Sequence, residues 1–476
     1  MAHAEMRFLN EQEEDLIHEQ SIRCLSEIGV KIQSRSVLEL LDDRGAAVDH
    51  AEKIARIPEK LVEEALETAP KEFTLCARDP KHDLKLPSHP YPHATTSGLA
   101  VFVTDHETEE YRRSTRKDVA EFARLGDSLE SVDFLWTSLT ASDVPELAHG
   151  PHEVWTTLQN TSKHVQGVTV QSAEDAGVQI ELAALVAGGR EALRRRPLLS
   201  IISCPIAPLS FEGGAIEAQV EFARAGVPIC SMTMSMSGGT APVTVAGTLV
   251  NANAENLASL VITQAASPGS PHVYTSESAP MDMKTGAMDY SAPEKTLLSI
   301  GLGQMAKRYG LPCLVADIGF GDDLRGSITS FDTLAIQFLG TASYTDIVTG
   351  MGSIDDAKGI SFVQLVIDAY IWECLREFMK EVEISEERIA FDVMKAVGPG
   401  QEFMTSRHTL QYMRKELTHW DEGKLEMLSR DPDSLVAESR NIVNQLLKDH
   451  RALPVDEDLI RQGDEIIGAY EERVRR

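Results

Sequence analysis

Seven short, apolar, β-branched runs separated by helical stretches restrict the fold of this chain more than any other feature. They are Val132–Thr140, His164–Gln171, Leu198–Ile206, Val227–Met234, His272–Ser276, Cys313–Ile318 and Asp346–Met351. Helical stretches fall between and after them, around 150–160, 174–187, 213–225, 241–264, 293–309, 328–342 and 361–379. Strands that alternate with helices pair in parallel, because the crossover supplies the return path. Runs that are apolar at nearly every position suit a sheet covered on both faces. Seven such units approach the about 250 residues of a (β/α)8 barrel. The predicted fold is therefore α/β, a TIM barrel. Its eighth strand has no clear run, and Gly350–Phe362 is the stretch that could hold it. An open doubly wound sheet is the competing topology, but no GxGxxG follows the first run, so the dinucleotide signature is missing.

The flanks read differently. Residues 11–30, Ser34–Asp42 and Pro58–Thr68 have helical spacing, and Ser97–Tyr111 reads as a hairpin turning at Asp105–Glu107 with Leu99, Val101 and Val103 on one face. After Ala390 the chain is charged and helical, with helices near 408–416, 434–449 and 456–475. The expected division is 1–115 for N-terminal helices and hairpin, 116–385 for the barrel and 386–476 for a helical C-terminal extension.

Charge narrows the function. With 74 acidic and 45 basic residues the net charge is −29, a field that repels nucleic-acid phosphate and anionic membranes and draws cations. Six cysteines lie scattered with no CxxC pair, which points to reduced thiols in a cytoplasmic protein rather than a disulfide frame or zinc ribbon. The longest apolar stretch, Leu198–Leu209, is broken by Ser, Cys and Pro and falls short of the ~20 residues of a membrane helix. The N-terminal residues are polar and carry no secretory signal. His149 and His152 are three apart without a visible third ligand, and His82, His89 and His93 sit in a proline-rich loop, so no metal site is expected.

In a barrel, chemistry sits on the loops after the strand C-termini. MTMSMSGGTAPVT, Met232–Thr244, ends the fourth run with alternating methionines and two glycines, a low wall that a flat cofactor or a methyl-bearing substrate could approach. Glu277 follows the fifth run directly, where its carboxylate could hold a cation. ADIGFGDDLRG, after the sixth, offers Phe320 and Arg325; arginine suits a carboxylate through a bidentate pair. Aromatic side chains for a cation are few: Trp155, Tyr274, Tyr290 and Phe320 are the candidates, and Trp136 is assigned to the core.

Three ordered segments then carry a resemblance: MSGGTAPVT at 236–244, SFVQLVIDAYIWE at 361–373 and AVGPGQEFMTSRHTLQYMRKE at 396–416. With the SGLAVFVTD hairpin and the strand rhythm, they resemble the corrinoid-dependent trimethylamine methyltransferase family across nearly the whole chain. The resemblance implies a barrel that moves a methyl group from an amine to the Co(I) of a cobamide carried by a separate corrinoid protein. Archaeal members carry pyrrolysine near the barrel centre. This sequence contains standard residues only, and GMGSIDDAKGISF, after the seventh run, is no exception. The expected methyl donor shifts accordingly from trimethylamine to a quaternary amine, glycine betaine first. Proline betaine, carnitine, γ-butyrobetaine and trimethylamine remain open, as does a non-catalytic barrel that binds a corrinoid protein.

Elementary chemistry agrees with the shift. Displacement at a methyl carbon needs a good leaving group. A quaternary ammonium is already cationic and departs as a neutral amine, so the protein need only align it and exclude water. On this reading Glu277 or Phe320 faces the ammonium, Trp155 and Tyr274 add aromatic wall, and Arg325 meets a substrate carboxylate. Ser237, Gly238, Gly239 and Gly352 face the corrinoid, and no residue is assigned as catalytic. No DxHxxG-type lower-ligand motif is visible, so the cofactor is expected to arrive on its cognate protein, and the chain to form a homo-oligomer.

Overall fold

Eight parallel strands form one sheet: β1 His93–Thr96, β2 Leu135–Trp136, β3 Val165–Gly167, β4 Leu199–Ser203, β5 Ile229–Thr233, β6 His272–Ser276, β7 Cys313–Asp317 and β8 Ile347–Met351. This is a computed structural model, and it describes residues 6–319, 339–342, 344–417 and 431–475. Strands β2 to β8 pair in sequence order, and β1 lies against β8 with His93 opposite Ile347. A parallel bridge between Thr95 and Phe134 joins β1 to β2 and closes the ring. The fold is the α/β barrel expected, and β2 to β8 are the seven runs read from the sequence.

The eighth strand is not in Gly350–Phe362. It is β1, the four residues HATT, which lie in the segment read as prelude. Its residues are mostly small and polar, so periodicity has nothing to register. Its neighbours hold it instead: the Asp133 amide donates to the Ala94 carbonyl at 2.8 Å, and the Thr95 hydroxyl donates to the Phe134 carbonyl at 2.9 Å. Gly359–Ser361 joins a separate four-stranded sheet with Ser353–Ile354, Phe102–Thr104 and Tyr111–Arg113. The predicted hairpin is part of that sheet, but shorter. Leu99 has φ 64° and both Leu99 and Val101 are exposed, so only Val103 of the three predicted side chains is buried.

Inward-facing side chains fill the barrel from below. Phe134, Trp136, Ile202, Cys230, Met232, Val273, Leu314 and Ile347 pack together with Leu75, Leu84 and Leu86. The last three come from an antiparallel hairpin, Phe73–Leu75 with Leu84–Leu86, which seals the end where the strands begin. The Cys76 amide donates to the Pro197 carbonyl at 3.1 Å, just before β4, and His164 bonds the Cys76 carbonyl at 2.8 Å. With that end plugged, the opposite mouth is the open one.

Two C-terminal helices, Pro432–Asp449 and Glu457–Val474, lie on the barrel's helical coat. His450 meets buried Asp127 at 2.7 Å, and His152 meets Glu471 at 2.7 Å. Ile467 and Tyr470 are buried against Ala148, Trp155 and Leu182. Among the described residues, no helix is long and apolar enough to cross a membrane.

Candidate functional site

Side chains alternate along a strand, and that alternation decides which residues reach the mouth. On β5 and just beyond it, Cys230 and Met232 face inward and Met234 continues the row; on β6, Val273 faces inward and Glu277 continues it. The inward rows end in a cavity of about 350 Å³ at the strands' C-terminal end. Trp136, Met232 and Met234 form its apolar wall, and Cys204, Glu277, Tyr290, Asp317 and Asp356 bring polar groups to it.

Glycines let the walls close. A Cβ on Gly98 would stand 2.2 Å from a ring carbon of Trp136, so the indole lies directly on this backbone. Gly350 has φ 105°, and a Cβ on it would meet the Gly319 amide at 2.7 Å. The ends of β7 and β8 therefore meet backbone to backbone.

A buried charged triad underlies the cavity. Lys295, in the first turn of the Pro293–Arg308 helix, places Nζ 2.6 Å from Asp317 Oδ2 and 3.3 Å from Glu277 Oε2. The Lys295 side chain is 5% exposed, Glu277 11% and Asp317 17%. The Glu277 amide is fixed on the Thr233 carbonyl at 2.9 Å, while its Oε1 is buried without a partner among the described residues. Burial pushes the Glu277 carboxyl up to about 7; Lys295 opposes the shift and Asp317 adds to it. Burial works against the charge of Lys295, but Asp317 and Glu277 outweigh it and hold the ammonium above the usual lysine range. Tyr290, whose ring centroid is 5.8 Å from Lys295 Nζ, stays a neutral phenol, because burial and then Glu277 raise it. Burial also pushes the Cys204 thiol up to about 11, so it is no thiolate nucleophile at neutral pH.

Asp356 comes from the turn between Ser353–Ile354 and Gly359–Ser361. Asp355, Asp356 and Ala357 have φ of 52°, 50° and 63°, a left-handed run costing roughly 1–2 kcal/mol per residue. The Tyr111 hydroxyl donates to Asp355 Oδ2 at 2.8 Å and the Lys358 amide to the Asp355 carbonyl at 3.0 Å, which hold the turn over the mouth.

Of the residues singled out by sequence, Glu277 and Tyr290 line the cavity. Tyr274 does not. It lies three positions from Glu277, hence on the opposite face of β6, where its hydroxyl donates to Asn253 Oδ1 at 3.0 Å beneath the Val245–Ala266 helix. Trp155 does not either: it belongs to the His149–Asn160 helix outside the barrel, with Nε1 on Asp464 Oδ1 at 3.0 Å. Gly238 and Gly239 are exposed but do not line the cavity, and Ser237 is buried and shares a hydrogen bond with Thr248 at 2.7 Å. Gly352 is buried against Phe122, not open to the mouth. Phe320 and Arg325 lie outside the described residues. Sequence reasoning missed Trp136, Lys295, Asp317 and Asp356 as site residues. Counting alternate positions back from the strand ends would have recovered Trp136.

Comparison with known proteins follows from this geometry. Residues 2–459 match the trimethylamine methyltransferase (MTTB) family. The trimethylamine methyltransferase MttB of Desulfitobacterium hafniense (strain DSM 10664 / DCB-2) is 32% identical, covering 84% of this chain and 80% of its own. A glycine betaine methyltransferase of D. hafniense (strain Y51) is 28% identical over 86% of this chain and 85% of its own. The solved structure of the Methanosarcina barkeri monomethylamine methyltransferase MtmB aligns with a TM-score of 0.54 at 13% identity, over 94% of this chain and 88% of that one. At that identity the structural likeness speaks for the barrel alone.

Proposed function

This chain belongs to the trimethylamine methyltransferase (MTTB) family and is a methyltransferase; we propose that it takes its methyl group from a quaternary amine, with glycine betaine the first candidate, and passes it to the Co(I) of a corrinoid protein. The observation that carries the reading is the cavity itself. Two aromatic side chains, Trp136 and Tyr290, and three carboxylates, Glu277, Asp317 and Asp356, surround a space of about 350 Å³. Among the described residues, none that lines it is basic. Aromatic faces and carboxylates are what a permanent ammonium requires, and Met232 and Met234 give soft contacts to its methyl groups.

The sequence carries no pyrrolysine, which supports a donor that is already activated. The cobalt, when docked, supplies the nucleophile. The chain's own residues do the rest. Trp136 and Tyr290 exclude water, and the carboxylates orient the cation so that a methyl points out of the mouth. The corrinoid enters as a second substrate on its own protein. The mouth suits a broad ring because Ser97, Gly98, Gly319, Gly350 and Ala357 leave its walls low, and the exposed Gly238 and Gly239 stay our candidates for facing the corrinoid. Arg325 stays our candidate for the substrate carboxylate. The exposed side chains of Phe391, Met404 and Leu410 support self-association through the C-terminal extension.

The test is methyl transfer to free cob(I)alamin from a panel of methylated amines, followed by methylcobalamin absorbance. Quaternary amines should be demethylated and trimethylamine should not. Robust turnover of trimethylamine, with none of any quaternary amine, reverses the reading.

A further inference from the structure

The triad beneath the cavity is one positive charge short. Two carboxylates, Glu277 and Asp317, share the single ammonium of Lys295. The free oxygen, Glu277 Oε1, has no hydrogen-bond partner among the described residues, and its side chain lines the cavity. Among the described residues, the other groups that face it cannot supply the missing charge: Tyr290 is a neutral phenol and Cys204 a neutral thiol. Asp356 adds a further negative charge at the rim, 69% exposed and 3.7 Å from Lys358.

We propose that Glu277 exchanges a proton in step with the charge of the bound substrate, releasing it when a quaternary ammonium enters and returning one to the amine nitrogen once the methyl has left. This rests on the reading of the cavity as a quaternary-amine site and deepens it. In the empty cavity a proton on Glu277 fills the deficit, in keeping with a carboxyl held near neutrality. A permanent cation fills the same deficit, so the proton is no longer needed and leaves.

Methyl transfer then removes that cation. The C–N bond breaks with both its electrons kept by nitrogen, and the acceptor's electron pair makes the new bond to carbon. The product is a neutral tertiary amine in a pocket again one charge short. A proton taken up through Glu277 onto the nitrogen lone pair restores the balance. It also occupies the electron pair that would otherwise attack the transferred methyl and reverse the reaction. The product leaves as an ammonium ion.

The experiment needs no corrinoid. Glycine betaine has no titrating group near neutrality, so any proton released on binding comes from the protein. Calorimetric titration with glycine betaine at pH 7, in two buffers of different ionisation enthalpy, should show release of about half a proton from wild type. The dissociation constant should fall about tenfold between pH 6 and pH 8. Glu277→Gln should release no proton and lose this pH dependence, while Glu277→Asp should keep both in altered degree; far-ultraviolet dichroism checks that each variant is folded. Release that persists in Glu277→Gln, or wild-type binding without release, overturns the proposal and leaves the quaternary-amine reading intact. No binding at any pH overturns the reading and the proposal together.

Discussion

Replacing Lys295 with methionine should make the protein's stability fall steeply as pH rises. Methionine keeps most of the side-chain volume, so little cavity is created. What is lost is the ammonium that stands 2.6 Å from Asp317 and 3.3 Å from Glu277. Removing one partner of a buried ion pair costs about 3–5 kcal/mol when the other stays charged. Here the carboxyls can escape by holding protons. A carboxyl whose folded pKa lies above its unfolded value stabilises the fold below the unfolded pKa, and that contribution is lost as pH rises toward the folded pKa. Wild type already has one such group, Glu277, raised to about 7 from 4.5. In the variant its rise should grow, because Lys295, which opposes it, is gone. Each extra proton retained only in the folded state makes stability fall by about 1.4 kcal/mol per pH unit. Wild type and variant both hold the Glu277 proton below about pH 7, so the deficit of Lys295→Met should be small, about 1 kcal/mol, at pH 5.5 and widen by about 1.5 kcal/mol by pH 8. Urea denaturation followed by tryptophan fluorescence at both pH values measures it. A deficit equal at both would show that the triad is not the buried cluster described above.

Two further outcomes follow from the packing and the cavity. A Cβ at Gly463 would stand 2.1 Å from a ring carbon of Trp155, so Gly463→Ala should lift the Glu457–Val474 helix, lower stability by about 2–3 kcal/mol and speed proteolysis between 449 and 457; a variant with wild-type melting and digestion would refute the helix seat. Cys204, whose residue surface is exposed although desolvation among the cavity walls raises its thiol, should react with iodoacetamide slowly at pH 7, faster by about tenfold for each pH unit to pH 9, and be shielded by glycine betaine; peptide mass mapping reads this, and a rate that levels off by pH 8 would contradict the raised thiol.

The barrel was legible because seven strands are apolar at almost every position, a pattern that survives without knowing their partners. The strand His93–Thr96 was not, because HATT has no such pattern and depends on hydrogen bonds from strands far away in the chain. Glu277 was found because it ends a strand. Tyr274 was misplaced by the same nearness, since three residues along a strand reverse the face. Trp155 was chosen for its chemistry, although it sits on an outer helix under a C-terminal segment about 300 residues later. The triad was invisible for another reason: Glu277, Lys295 and Asp317 come from a strand end, a helix start and the next strand end, and only the folding of that βαβ unit joins them, ahead of the barrel's closure.

That closure has a cost in time. His93 is synthesised early, but its partner Ile347 follows about 250 residues later, which at about 5–20 residues per second is on the order of 10–50 s of translation. Until then β1 is held only on its β2 side, and one edge of a growing parallel sheet is bare. The backbone groups of that edge can pair with any extended chain nearby. The short, polar composition of β1 then takes on another meaning: a strand that waits this long is safer from wrong partners if it is small and not very sticky, and the chain completes its barrel only when β8 leaves the ribosome.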